Sequence, residues 1–288
     1  MNQLNLFIGL TRLKKPIGYM LLFWPCIWGL TLVYDFSEEL DVYLFYSILF
    51  FLGSVLMRSA GCIVNDILDK NFDKKVSRTK DRPIASGKIS ITLGLGYAFI
   101  LCLLAFLVLI NFNYFTIFLA LASMPLAFTY PLMKRYTYWP QLFLGITFNY
   151  GLILGWTSIQ GQLEIVPIIF YFGAIFWTLG YDTIYGYQDI KDDEIIGLKS
   201  TSIKFKGNPK IFLTICYLTL VFALTIGGYL MNFNIIYFLF LLFPLLHLFQ
   251  FQIKNFKSDN PSTCLRLFKS NNFLGLIIFV NILIGKII

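Results

Sequence analysis

Long, nearly uninterrupted apolar runs dominate this sequence. A helix needs about 20 apolar residues to cross the roughly 30 Å hydrocarbon core of a bilayer, and nine windows approach or exceed that length. They are 16–34, 41–64, 91–110, 114–132, 139–157, 164–187, 211–230, 234–251 and 271–288. Barrel strands would be shorter and would alternate in polarity, so the runs predict helices. We therefore expect an all-α polytopic membrane helix bundle, about nine transmembrane helices around a central cavity, that occupies 1–288 as a single domain.

The composition excludes a water-soluble fold. Of 288 residues, 58% are hydrophobic and 13% are charged, against roughly 25% charged in an ordinary globular chain. So few polar side chains cannot cover the surface that a chain of this size exposes. The five cysteines form no CxxC pair, which argues against a zinc site or a disulfide framework. The lipid bilayer is therefore the expected surroundings of most of the chain.

The basic residues predict the orientation of the bundle. With a cytoplasmic N-terminus, 22 of the 23 Lys and Arg residues fall in inner connections and only Lys286 lies outside, in agreement with the positive-inside rule. Since they are spread over several connections, they indicate topology and no nucleic acid partner. No Arg-rich organellar presequence precedes the first run, so we expect a multi-pass protein of a bacterial cell inner membrane with its active site facing the cytoplasm. No pattern indicates an oligomeric partner.

The connection 65–90, on the inner side, carries candidate functional residues and is rich in oxygen-bearing side chains. If the second helix continues through it, Asn65, Asp69 and Asp73 are spaced four residues apart and share one face. Such a stripe is self-repelling unless a positive charge lies between its members. Mg²⁺ prefers oxygen ligands of this kind and commonly shares them with substrate phosphates.

A second acidic segment, 188–210, follows the sixth run. Asp189 and Asp193 are again four residues apart, Asp192 lies between them, and Asp182 falls inside the apolar run itself. Both segments emerge on the same side of the membrane, so the two sets of carboxylates can face each other across a cavity. Cations from the first connection and from the run before it would rim a site for a diphosphate held through Mg²⁺. These rim residues are Arg58, Lys70, Arg78 and Arg82.

The plainer alternative is that the acids cap helix ends and pair with nearby Lys and Arg residues as a solvated face. That alternative does not explain two sets of acids with the same spacing. It also leaves Asp182 inside the membrane without a role, whereas an ionisable residue at such a depth is a functional candidate.

These motifs carry a family resemblance. The first segment resembles the first signature of the UbiA superfamily of intramembrane prenyltransferases, and the second segment resembles the second signature. The quoted residues are Asn65-Asp66-x-x-Asp69-x-x-x-Asp73 with Arg78-Thr79, Arg82-Pro83 and Ser86-Gly87, then Tyr181-Asp182-Thr183-x-Tyr185 with Asp189-x-x-x-Asp193 and Lys199-Ser200-Thr201. Two further stretches are similar to the 4-hydroxybenzoate polyprenyltransferase branch. They are Arg12 with Lys15-Pro16-Ile17-Gly18, and Tyr130-Pro131-Leu132-Met133-Lys134-Arg135.

The resemblance implies a reaction and a set of roles. The implied enzyme joins a polyprenyl group from polyprenyl diphosphate to the ring carbon ortho to the hydroxyl of 4-hydroxybenzoate, with Mg²⁺ as cofactor, in ubiquinone biosynthesis. Asn65, Asp69, Asp73, Asp189, Asp192 and Asp193 would hold the metal, and the four rim cations would hold the diphosphate. Asp69, Asp73, Asp182, Asp189 and Asp193 are the candidate catalytic residues. Arg135, with Lys134 and Arg12, would bind the aromatic acceptor.

Two other functions stay open on the sequence alone. Within the same superfamily, the acceptor could be another quinone precursor, a haem or a chlorophyll-type ring. In a different class, the chain could be a transporter, with Asp182 and Arg58 lining a permeation path. The acids cluster at one interface rather than at the midplane, which favours catalysis.

Overall fold

The computed structural model describes residues 3–288, and every regular element in that range is a helix. The α-helices are α1 (Gln3–Thr11), α2 (Ile17–Val33), α3 (Leu40–Leu68), α4 (Lys70–Asp73), α5 (Ile91–Leu109), α6 (Tyr114–Thr129), α7 (Met133–Tyr136), α8 (Pro140–Gln160), α9 (Ile165–Gly186), α10 (Ile190–Ile195), α11 (Thr201–Lys204), α12 (Pro209–Leu230), α13 (Ile235–Phe240), α14 (Leu242–Leu245) and α15 (Pro261–Ile287). A short 3₁₀ helix, Tyr130–Leu132, joins α6 to α7. A π-helical segment, Leu246–Ile253, continues α14.

The number of apolar helices agrees with the sequence expectation. Among the described residues, eight helical stretches are long and apolar enough to cross a membrane, and the shorter apolar α2 has 17 residues. Each of the nine predicted windows therefore coincides with a helix. The all-α, polytopic bundle is confirmed.

Two predicted helix ends are wrong. The last helix begins at Pro261, ten residues before the predicted window, where Asn260 caps it by accepting a hydrogen bond from the Thr263 N–H at 3.0 Å. Apolar windows stop at charges, whereas a helix continues through Arg266 and Lys269 when both lie exposed at the edge of the bundle. The second helix, expected to run through the acidic segment, ends at Leu68.

Glycines allow the central helices to pack closely. A Cβ atom on Gly155 of α8 would overlap the backbone carbonyl of Cys26 in α2, and one on Gly29 would overlap the carbonyl of Leu152. Small residues at this spacing let transmembrane backbones approach each other. The α2–α8 pair is therefore the tightest contact of the bundle, with α15 and α9 packed around it.

Buried polar side chains tie the last helix to this centre. The indole N–H of Trp28 donates to the carbonyl of Gly275 at 3.0 Å, and that of Trp177 donates to Asn271 Oδ1 at 2.8 Å. An unpaired indole would be costly in this interior, so these bonds favour one arrangement of the helices.

An apolar cavity of about 380 Å³ opens on the other side of α2 and α8. α5 packs mainly on α3 and α6 packs mainly on α8, and the cavity lies between these two pairs. Small side chains such as Ala105 and Ala120 line its middle, Phe112 lies at one end, and Arg58 and Tyr130 lie at the other. The expected cavity is thus present, displaced toward the first half of the bundle, and its polar end adjoins the ends of α3 and α9.

Candidate active site

The ends of α3 and α9 and the connection 74–90 meet beside the polar end of the cavity. We call this region the charged mouth and define it by its interacting residues, Arg12, Asp66, Asp69, Asp73, Arg78, Arg82, Lys134, Arg135 and Asp189. All of them come from helix ends or connections, because charged side chains inside the spans would be expensive in lipid.

The break in α3 shapes the first acidic segment. Asp69 has φ −94° and ψ 4°, so the chain turns there and α4 begins at Lys70. The four-residue spacing survives the break, since the Asp69 N–H donates to the Asn65 carbonyl at 2.9 Å and the Asp73 N–H donates to the Asp69 carbonyl at 2.8 Å. The expected continuous helical stripe is wrong, but a bent stripe remains.

Asp69 is the most enclosed acid of the proposed metal set. Its side chain is 1% exposed and forms an ion pair with Lys134. Arg135 Nη2 lies 3.7 Å from Asp69 Oδ1 and donates to the Leu68 carbonyl at 2.6 Å. The short helix α7 is itself held in place by the second acidic connection, because the Lys199 N–H donates to the Lys134 carbonyl at 2.8 Å. Both candidate acceptor-binding cations of α7 therefore lie against the end of α3.

Asp66 joins two cations that are far apart in sequence. It forms an ion pair with Arg12, and its Oδ1 also accepts a hydrogen bond from Arg82 Nη1 at 3.1 Å. The same Arg82 nitrogen lies 2.8 Å from Asp73 Oδ2. Arg12 was expected to bind the aromatic acceptor. In the structure it pairs with Asp66, the carboxylate that also contacts Arg82, a candidate diphosphate ligand.

Arg78 connects the two acidic segments. Its Nε lies 2.8 and 3.0 Å from the two carboxylate oxygens of Asp189, Nη2 makes a further short contact with Oδ2, and Nη1 donates to Tyr185 Oη at 3.2 Å. The neighbouring Ser77 N–H donates to Asp192 Oδ2 at 3.2 Å. Residues 77 and 78 therefore bring the two acidic segments to face each other.

Several predicted site residues have no hydrogen-bonded partner for their side chains. Within residues 3–288, no side-chain hydrogen bond or ion pair involves Asn65, Lys70, Asp182, Asp193 or Arg58. Burial and the neighbouring charge of Asp189 raise the pKa of Asp193 to about 6. Arg58 lies over the ring of Phe148, 5.2 Å from its centroid, at the cavity wall. Lys70 is not brought into the charged mouth.

The mouth carries positive charge that its acids do not fully neutralise. Burial lowers the pKa of Lys15, and the charges of Arg12, Arg78, Arg82 and Lys269 lower it further. Several cations from different elements thus lie close enough to repel one another. This is the electrostatic arrangement that a polyanion would complete.

The donor set fits a divalent cation chemically. In residues 3–288, no three acidic, thiol or imidazole groups converge closely enough to hold a metal ion as they stand, because Lys134, Arg78 and Arg82 lie between the carboxylates. Asp69 Oδ1, however, is buried without a hydrogen-bond partner, and Asp193 has no cation in contact. Carboxylate and amide oxygens with free lone pairs are the ligands that Mg²⁺ prefers.

Sequence reasoning missed two contributors to the site. Asp66 was read only as part of a motif, although its position one residue after Asn65 turns it about 100° around the helix toward different neighbours. Tyr185 was also given no role, yet it holds Arg78 by a hydrogen bond and by a ring contact at 5.6 Å. Asp66 pairs with Arg12, 54 residues away, and Tyr185 bonds to Arg78, 107 residues away. No local sequence pattern reveals contacts over such distances.

The fold and the charged mouth together define a polytopic membrane protein whose apolar cavity ends at a set of paired acids and cations. Such a site suits a substrate with a lipid-soluble tail and an anionic head. The chain belongs to the UbiA prenyltransferase family, whose model matches residues 22–279. It is an enzyme that transfers prenyl groups.

Curated relatives match nearly the whole chain. A mitochondrial 4-hydroxybenzoate polyprenyltransferase from Bos taurus is 44% identical over 98% of this chain and 75% of the relative. The corresponding enzyme of Drosophila melanogaster is 41% identical over 98% of this chain and 71% of the relative. A 4-hydroxybenzoate geranyltransferase 2 from Lithospermum erythrorhizon is 41% identical over 98% of this chain and 90% of the relative.

Solved structures share the fold at lower identity. An apo UbiA homolog from Aeropyrum pernix K1 has a TM-score of 0.74 at 21% identity, over 93% of this chain and 97% of that one. A UbiA homolog from Archaeoglobus fulgidus, solved with GPP and Mg²⁺, has a TM-score of 0.69 at 16% identity, over 96% of this chain and 99% of that one.

The expected location in a bacterial cell inner membrane is wrong. The relatives from cattle and fruit fly are mitochondrial enzymes of eukaryotes. The charge asymmetry identifies the basic end of the bundle. It does not distinguish one membrane from another, which is why the sequence argument failed here.

Proposed function

We propose that this enzyme transfers a polyprenyl group from polyprenyl diphosphate to the ring carbon ortho to the hydroxyl of 4-hydroxybenzoate, releasing diphosphate, and that it serves ubiquinone biosynthesis. The observation that carries the proposal is the junction of a 380 Å³ apolar cavity with the charged mouth. A prenyl tail fits the apolar part, and the diphosphate and the benzoate are anions that fit the cationic part. The names of the relatives support 4-hydroxybenzoate as the acceptor.

Mg²⁺ is the proposed cofactor. The side chains that would hold it come from both acidic segments, namely Asn65, Asp69, Asp73, Asp189, Asp192 and Asp193. When bound, the metal would neutralise the charge that develops on the diphosphate oxygens as the C1–O bond breaks. The archaeal relative solved with GPP and Mg²⁺ supports this choice.

The cations of the charged mouth change partners in this proposal. Arg78, Arg82 and Lys134 neutralise acids in the free protein and would donate to phosphate oxygens or acceptor groups once a divalent cation occupies those acids. Arg58 already lies free at the cavity wall. It would therefore contact the diphosphate where the head group meets the tail.

Apolar and aromatic walls protect the reacting carbon. Departure of diphosphate leaves an allylic cation, which water would quench. Phe148 and Tyr130 line the cavity beside Arg58, and aromatic rings of this kind shield a cation from water and stabilise it through their faces. The phenol ring then attacks, and loss of a ring proton restores aromaticity.

The acceptor is proposed to lie between α7 and α9. Arg135 would hold the benzoate carboxylate through paired hydrogen bonds, since its Nε is buried without a partner. Lys134 would contribute a second positive charge. Asp182, which has no partner and senses Arg58, is the candidate to accept the proton from the acceptor.

The test is an assay of product formation in membranes that contain the protein. We expect prenylated 4-hydroxybenzoate with Mg²⁺ and loss of product with a chelator, restored by added Mg²⁺. Asp69→Ala and Asp189→Ala should each abolish turnover, and Asp81→Ala, an exposed acid in the same connection, should not. Wild-type turnover in both variants would reject the metal role, and a preference for another aromatic acceptor would reject the substrate assignment.

A further inference from the structure

Asp66 is the one buried acid of the first segment that the proposed metal site does not use. Its side chain is 2% exposed, and its two ion-pair partners are Arg12, 54 residues before it, and Arg82, 16 residues after it. Arg12 belongs to the turn between α1 and α2, and Arg82 belongs to the connection before α5. One carboxylate therefore gathers two guanidinium groups at the charged mouth.

The charge balance of this group is positive. Two guanidinium groups share one carboxylate, so the group of three carries an excess of one positive charge. Arg82 also contacts Asp73 at 2.8 Å, but Asp73 is a proposed metal ligand and would be shared with the cation. When that happens, Asp66 is the acid that still holds Arg82 in place.

The backbone at Arg12 indicates that its position is constrained. Arg12 has φ 57°, one of two non-glycine residues with positive φ among the described residues. A non-glycine residue in this conformation costs free energy and persists only where surrounding contacts impose it. The bond from the Lys15 N–H to the Arg12 carbonyl, 2.8 Å, closes the turn, and the ion pair with Asp66 fixes the side chain.

We propose that Asp66 is a positioning residue that orients Arg12 and Arg82 to receive the terminal phosphate of the prenyl diphosphate. Asp66 touches neither substrate nor metal and acts through the two guanidinium groups. This assignment rests on the proposed function for its substrate, but it requires only that the ligand carry a diphosphate. The role proposed for Arg12 is therefore to bind the prenyl diphosphate, whereas the sequence analysis had assigned it to the aromatic acceptor.

The kinetic test compares Asp66→Asn with Asp66→Glu. Asn keeps the size of the side chain but removes the charge that holds two cations. We expect Asp66→Asn to raise the KM for the prenyl diphosphate by about 10-fold or more, with kcat and the KM for the acceptor changed much less. Asp66→Glu should recover part of the loss. Asp81→Asn removes an equal charge from an exposed position on the same connection and should behave as wild type.

A double-mutant cycle and a binding measurement separate positioning from a purely structural role. Arg12→Gln should weaken donor binding, and adding Asp66→Asn to it should cost less than in the wild type, because one of the two oriented groups is already absent. Binding of inorganic diphosphate to the purified protein in the presence of Mg²⁺, measured by calorimetry, should fall in Asp66→Asn. This readout does not depend on the acceptor, so it stays informative if the proposed acceptor is wrong.

The opposite results would overturn the proposal. If Asp66→Asn lowers only the thermal midpoint and leaves the donor KM and diphosphate binding unchanged, Asp66 serves the fold alone. Additive effects in the double-mutant cycle would also reject it, as would a fall in kcat with an unchanged donor KM. If Asp66→Asn does not fold, the same criteria apply to Asp66→Glu, whose longer side chain should shift the donor KM before it affects stability.

Discussion

At the scale of single residues, the charged mouth contains two kinds of cation. Arg78, Arg82 and Lys134 are each in contact with at least one carboxylate. Arg58 has no ion pair or hydrogen bond among the described residues and rests over Phe148. An unpaired guanidinium is costly so close to an apolar cavity, and its cost is offset when an anion binds.

Substitution of Arg58 should therefore affect binding more than stability. We expect Arg58→Gln to lower kcat/KM for the prenyl diphosphate by about 10- to 100-fold, the value of charge-assisted hydrogen bonds to an anion. The thermal midpoint in detergent should stay close to that of the wild type, because no bond of the free protein is lost. Arg82→Gln should lower both quantities, since Asp66 and Asp73 would each lose a partner.

Arg266→Gln is the matched control for both variants. Arg266 is exposed on α15 and forms no ion pair, so the change removes the same charge from a position outside the site. Unchanged kinetics in Arg58→Gln would show that Arg58 is not a diphosphate ligand.

At the scale of helices, apolar length predicted the bundle well and local chemistry predicted the connections poorly. Each apolar window became a helix because a lipid-exposed backbone must bond to itself. The end of α3 at Leu68 was not predictable in this way. It depends on Lys134 and Arg135 of α7, which contact Asp69 and the Leu68 carbonyl from more than 60 residues away.

The same limit applies to the candidate site. The acid spacing predicted two segments, which the structure brings together through Arg78 and Asp189, and the four-residue spacing survives the bend at Asp69. The sequence did not predict that, among the described residues, Lys70 makes no side-chain hydrogen bond or ion pair, nor that Arg12 pairs with Asp66. Long-range ion pairs decide these positions, and they depend on how the helices pack.

The α2–α8 interface gives a prediction at this scale. Gly155→Ala should destabilise the protein by about 1–3 kcal/mol, the usual cost of forcing atoms into a packed interface, because the added Cβ would overlap the Cys26 carbonyl. Gly96→Ala on α5 meets no atom within 4 Å and should be neutral or slightly stabilising. Thermal unfolding followed by tryptophan fluorescence measures both, and equal midpoints for the two variants would contradict the close packing.

At the scale of the whole molecule, the bundle has one densely packed half and one half that encloses the cavity. α9, α12 and α15 pack densely around Trp177 and Tyr217. The half formed by α3, α5, α6 and α8 encloses the cavity, and α6 has only one buried residue. An opening between α5 and α6 would therefore place the tail of a prenyl donor in contact with lipid while its head remains at the charged mouth.

The size of the cavity limits how much of the tail it encloses. The cavity of about 380 Å³ runs from Arg58 to Phe112, so a tail that enters beside Arg58 reaches a closed end. The ring of Phe112 packs against Phe50 at 4.9 Å between centroids and closes the end opposite Arg58. Donors whose tails are longer than the cavity must extend sideways between α5 and α6.

A bulky side chain in the middle of the cavity should therefore discriminate between donors by length. Ala120 lines the cavity from α6, and Ala120→Trp should reduce kcat/KM strongly for long polyprenyl diphosphates and much less for dimethylallyl diphosphate. Phe118→Trp places the same indole on the lipid-facing side of the same helix, where Phe118 is 66% exposed, and should leave the profile unchanged. An equal loss for all donors in Ala120→Trp would mean that the tail follows another route, because a block in its path must affect the long tail more than the short one.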